Sequence, residues 1–164
     1  MRQVRLDELT YSLFSGMGAW GHRDRLAVVA DAGGRFEDGR LRTAAAAILL
    51  KLYGCEFYRG SEPAPVSQKE LEGILAECVK QWPKERRQLF VSKVAQDRDW
   101  GRYYAAHMLA DQLADFTILR DSPEPPFFRF ANFEGGSGPL PVTPEEADRW
   151  RGQKACPNQG LRPR

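Results

Sequence analysis

The chain has 164 residues, 42% of them apolar and 28% charged, and a net charge of +2. That length suits one domain able to bury a core without disulfide staples, and the composition is that of an ordinary globular protein. So small a net charge excludes any argument for nucleic acid from overall charge; such an argument has to rest on local clusters. No run of about 18 apolar residues occurs, so no membrane-crossing helix is expected. The first residues carry Asp7 and Glu8 and no apolar h-region, which does not suit a secretory signal. Cys55, Cys78 and Cys156 are far apart and odd in number. The simplest reading is a reducing cytoplasm and no disulfide framework.

In chain order, residues 5–14 form a short amphipathic helix, with Leu6, Leu9, Leu13 and Phe14 on one side. Three glycines then break it. Gly16, Gly18 and Gly21 fit Gly-x-Gly-x-x-Gly, but no strand precedes them, so the pattern lacks the context of a phosphate loop. Trp20 is expected to anchor this loop to the core. Residues 25–31 alternate like a strand and also fit a helix, and periodicity leaves both open. Asp38-Gly39 predicts a turn. Residues 40–53 predict a helix that is apolar nearly all round from Ala44 to Leu50, hence central and buried. Gly54 sits where a left-handed helix cap belongs.

Residues 55–65 read as a loop. Ser67 and Glu70 form a capping box, with Val66 and Leu71 at the staple positions. Leu71, Ile74, Leu75, Cys78, Val79 and Trp82 then recur at helical spacing. Cys78 lies in that stripe and is expected to be a small core residue. A further helix is expected over 84–95, with Lys84, Arg86 and Arg87 on its flank, and residues 96–99 as a connection.

The helix predicted over 100–114 has two distinct faces. Ala105, Leu109, Leu113 and Phe116 fall on one side at about 100° per residue. Trp100, Tyr103, Tyr104 and His107 fall on the other. Either the helix is sandwiched between other elements, or this aromatic side docks a protein partner or a second copy. A hairpin follows, from Phe116–Arg120 through a Pro-rich turn to Phe127–Phe133. Residues 1–133 therefore read as one helical domain ending in a hairpin. Residues 134–164 read as a flexible linker, a short helix begun by the cap at Thr143, and a disordered tail.

A helix feeding directly into a two-stranded wing resembles winged-helix domains. That resemblance implies nucleic-acid contact or protein docking, with Arg120 and Arg129 on the wing. The spacing from Arg102 to His107 resembles the Arg-x4-6-His motif of the HEPN helical ribonucleases. There the pair acts on the scissile phosphate, usually across a dimer. Here Tyr103, not a small polar residue, follows the arginine. In size and helicity alone the chain also resembles the helical small subunits of CRISPR effector complexes.

Two histidines and scattered cysteines give no zinc set and no nucleophile with an evident base. The expected fold is mainly α, with a small C-terminal hairpin of winged-helix type. The expected function is a non-enzymatic, nucleic-acid-associated adaptor or regulatory subunit of a larger complex. Lys84, Arg86, Arg87, Arg120 and Arg129 would meet nucleic acid; Trp100, Tyr103, Tyr104 and His107 would meet a protein partner. No cofactor, metal or membrane association is expected. A helical ribonuclease using Arg102 and His107, or a purely structural small subunit, are the alternatives.

Overall fold

The computed structural model describes residues 1–29 and 37–123, all within the unit Met1–Pro126. The expectations for 127–164, including Arg129, Cys156, the return strand, the linker and the tail, lie outside the described residues.

Helices dominate. Helix α1 spans Leu6–Met17, and Leu9, Leu13 and Met17 bury the face that their spacing predicts. It runs through Gly16, so the expected glycine break begins later, at Gly18. Helix α2 spans His22–Val28, which settles the ambiguous stretch as helix up to Val28. Helix α3 spans Glu37–Lys51. Asp38-Gly39 lies inside its first turn and is not the expected β-turn; Glu37 and Asp38 there favour the positive end of the helix dipole. Leu41, Ala44, Ala45 and Ile48 are buried against α1, α2 and the next helix, so α3 is central. It is not buried all round, because Leu50 is 72% exposed. Gly54, at φ +80°, provides the left-handed exit.

The expected loop at 55–65 holds a strand, β2, over Cys55–Arg59. Helix α4 spans Gln68–Gln81 and buries Leu71, Leu75, Cys78 and Val79. Its cap is half a capping box. The backbone N–H of Glu70 donates to Ser67 Oγ at 3.2 Å, while the Glu70 carboxylate turns to Arg59 at 2.5 Å.

The helix expected over 84–95 is shorter. Helix α5 covers Lys84–Gln88 and tightens into a 3-10 turn over Leu89–Val91. Lys84 and Glu85 stay outside while Arg87 and Phe90 go in, Phe90 between Trp20 and Trp82 at ring separations of 5.7 and 6.4 Å. Helix α6 then spans Ala95–Leu113, starting five residues before the expected Trp100. Residues 96–99 are therefore helix, not connection. Ser92 organises this start: its hydroxyl accepts from the Val94 N–H and donates to Asp97.

Strand β3, Phe116–Arg120, forms as expected, and it is the middle strand of a three-stranded antiparallel sheet. One edge pairs with β2, with Phe57 opposite Ile118. The other pairs with β1, Arg2–Gln3, with Arg2 opposite Arg120. Val4, Phe57 and Ile118 bury the inner face. Arg2 locks the N-terminus to the end of β3: its guanidinium donates to both Glu8 carboxylate oxygens at 2.8 and 2.6 Å and to the Ser122 carbonyl at 2.7 Å.

Candidate anion pocket

The residues expected to meet nucleic acid do not form one surface. Lys84 is exposed on α5. The Arg86 guanidinium sits over the Tyr104 ring, 4.3 Å from its centre. Arg87 is a correction: it is 6% exposed, and its Nε donates to the Val28 carbonyl at 2.7 Å. A guanidinium committed to the backbone of another helix ties α5 to α2 and is withdrawn from any phosphate. Arg120 lies across the sheet from Arg2 and Cys55, at the opposite end of β3 from Phe116.

The aromatic side of α6 is interior. Trp100, Tyr103 and Tyr104 are 2%, 0% and 1% exposed. They pack in mutual edge and tilted contacts 5.8–6.1 Å apart, and His107 lies 4.5 Å from the Tyr103 ring. Of the two arrangements that the sequence allows, the sandwiched helix is the observed one. The aromatic side is no free docking face, because a large aromatic gains more from burial than from solvent exposure. Arg102 and His107 are about 140° apart around the helix and have different neighbours. Arg102 bonds to Asp99 and to the Phe14 carbonyl on α1, so one chain does not bring the pair together.

A different set of side chains does converge. Ala95, Arg98, Asp99 and Arg102 stand at positions i, i+3, i+4 and i+7 of α6, which is one helix face. That face, with Gly18 and Trp20 from the α1–α2 connection and Arg25 from α2, lines a cavity of about 250 Å³. Three guanidiniums share it with one carboxylate. Arg102 is held in place, donating to Phe14 O at 3.1 Å, paired with Asp99 and stacked 4.4 Å over the Phe14 ring. Arg98 donates to the Ser92 carbonyl at 2.8 Å. The Arg25 side chain has no hydrogen bond or ion pair among the described residues, and its Nε is buried without an acceptor. The same holds for the Trp20 indole N–H. Gly18 makes the approach possible: a Cβ there would lie 2.5 Å from an Arg102 Nη.

The chemistry of this cavity is anion binding. Its walls supply N–H donors and positive charge, and the uncapped first turn of α6 adds the positive end of a 19-residue helix. A larger cavity of about 460 Å³, beside the end of α3 and β2, is walled by side chains such as Leu49, Leu50, Tyr53 and Val66 and gathers no comparable charge. The thiols are not poised as nucleophiles: burial pushes both Cys55 and Cys78 above the usual thiol range. Among the described residues no three His, Cys, Asp or Glu side chains group to hold a metal, and no helix is long and apolar enough to cross a membrane.

The sequence held a signal for this pocket, the 95-98-99-102 spacing, which the late helix start at Trp100 conceals. Nothing local marks Arg25 as its partner. Comparison of this chain with protein-family models, with curated proteins and with solved structures gives no match.

Proposed function

We propose that this chain is a non-catalytic, nucleic-acid-associated adaptor that holds phosphate in the arginine pocket. The observation that carries the reading is the convergence of Arg25, Arg98 and Arg102 on one cavity with only Asp99 to oppose them. A buried guanidinium N–H without an acceptor, as at Arg25 Nε, is costly, and an incoming phosphate removes that cost with paired, charge-assisted hydrogen bonds. Helix α6 passes into β3 through only two residues, and this junction is what supports a winged-helix-like relationship. The role of α6 in the proposal differs from groove reading: it walls a phosphate site.

The test is fluorescence anisotropy with labelled single- and double-stranded DNA and RNA at about 50 and about 200 mM salt. Binding should weaken steeply with salt. Arg25→Gln and Arg98→Gln should each weaken it for every sequence and lower the salt slope by about 1. The nucleic acid should remain intact. No binding at the lower salt would refute the proposal. RNA cleavage that His107→Ala abolishes would establish the ribonuclease reading in its place.

A further inference from the structure

We infer that the arginine pocket takes a phosphate monoester, the terminal phosphate of a nucleic-acid strand, in preference to the diesters along it. This rests on the phosphate-binding reading above and sharpens its ligand.

Three observations carry it. The first is size. At about 250 Å³ the cavity falls below the roughly 300–1,000 Å³ of sites that enclose whole drug-sized ligands. It has room for a phosphate group and not for a strand of several nucleotides. The second is charge. Three guanidiniums less one carboxylate is a formal +2. A monoester near pH 7 carries about −1.5 to −2, with oxygens that accept from several directions at once, whereas a diester carries a single charge. The third is the uncommitted donors. Arg25 keeps a buried Nε with no acceptor among the described residues, and its side chain is a fork of N–H donors. The Trp20 indole N–H, in a side chain only 6% exposed, also lacks one. An inner wall with unanswered donors suits the end of a chain, which can enter, better than a strand passing across the mouth.

The surroundings favour a strand over an isolated phosphorylated side chain. Helix α2 presents cations on two sides. Arg25 serves the pocket, while Arg23, with Arg40 of α3, lines a shallow depression of about 350 Å³ floored by Leu26 and Ala27. A polyanion whose end sits in the pocket has further charge to meet there.

The experiment compares 5′-phosphorylated, 3′-phosphorylated and unphosphorylated oligonucleotides of one sequence, together with a phosphoserine peptide, on the full chain at fixed salt. Inorganic phosphate serves as competitor. A phosphorylated end should bind at least tenfold tighter than the hydroxyl end, and inorganic phosphate should erase that difference. Arg25→Gln should remove the end preference and leave weaker, end-independent binding. Arg23→Gln with Arg40→Gln should weaken all the oligonucleotides together and keep the preference. Circular dichroism on each variant confirms that the fold is retained. Equal affinity for all ends, with no competition by phosphate, overturns the inference while the nucleic-acid reading survives. Binding of the phosphopeptide alone overturns both, as does the absence of any binding.

Discussion

Removing Arg2 should cost this fold more than any other exposed-terminus change, and the size of the loss follows from geometry. Glu8 is 4% exposed, and both its oxygens accept from the Arg2 guanidinium, at 2.6 and 2.8 Å. Arg2→Ala strands a buried carboxylate and also releases the Ser122 carbonyl from its 2.7 Å bond. Losing one partner of a fully buried pair costs about 3–5 kcal/mol. The Arg2 side chain is 23% exposed, so water reaches part of the pair, and the expected loss is near the lower end, about 3 kcal/mol. At about 2–4 °C per kcal/mol for a chain of this size, the melting temperature should fall by roughly 6–12 °C. The cost must also depend on pH. The hydrogen bond from Arg2 holds the Glu8 carboxyl below its ordinary value. A depressed carboxylate contributes stability above its unfolded value, about 4.3, and loses it as pH falls through the folded value. Urea denaturation of wild type and Arg2→Ala at about pH 7 and about pH 3 should show the gap narrowing in acid. Adding Glu8→Gln to Arg2→Ala should recover part of the loss at neutral pH. A loss under about 1 kcal/mol at pH 7, or one unchanged in acid, would refute the account of this clamp.

Three further outcomes are expected. Ser67→Ala should lower stability by about 1 kcal/mol in thermal or urea melts, since the Glu70 N–H loses its acceptor; an unchanged melt would refute the cap. Arg87→Met should cost about 2 kcal/mol by leaving the Val28 carbonyl without its donor, yet leave nucleic-acid affinity per folded molecule unchanged, and a loss of affinity would return Arg87 to the binding surface. Gly18→Ala should cost about 1–3 kcal/mol, because the Arg102 guanidinium that its Cβ displaces is bonded to Asp99 and the Phe14 carbonyl and the Ser15 carbonyl lies 3.1 Å away, and it should weaken phosphate binding several-fold in the anisotropy assay.

Much of the helical frame was legible because its signals are local. Ser67 begins α4 and the stripe from Leu71 to Trp82 buries, since a cap and a 3.6-residue period act within one turn of chain. The strand β2 was not legible. Between Gly54 and Gly60, of its five residues only Phe57 is fully buried, and what makes Cys55–Arg59 a strand is its pairing with Phe116–Arg120, about sixty residues away. The start of α6 was missed for a related reason. Gln96-Asp97-Arg98-Asp99 has the composition of a linker, and its polar residues are helical because they face a pocket and the Ser92 hydroxyl instead of the core. The candidate site suffered most. Arg87 looked like surface charge, yet it is spent on a backbone carbonyl. Arg25 sat in an ambiguous run, and it became the one guanidinium of the pocket without a partner among the described residues.

That difference between arginines decides which of them can report on function. Arg102 is fixed by Asp99, the Phe14 carbonyl and the Phe14 ring. Its rotamer freedom, about 2 kcal/mol for such a side chain, is already lost in the folded protein, so an anion meets a guanidinium in position. The same bonds join α6 to α1, and replacing Arg102 would loosen the helices and empty the pocket together. Its loss of binding could not be told from loss of fold. Arg25 is in the opposite situation. Its side chain makes no hydrogen bond or ion pair among the described residues, so replacing it removes charge from the cavity and no support from the helices. If the pocket binds no anion, Arg25→Gln relieves a buried donor that lacks an acceptor and should leave stability unchanged or slightly raised. If the pocket does bind phosphate, the same variant should be as stable as wild type without phosphate and gain less from it on addition. Thermal melts of the two proteins with and without inorganic phosphate therefore separate a site from an accident of packing, and equal gains in both would remove Arg25 from the site.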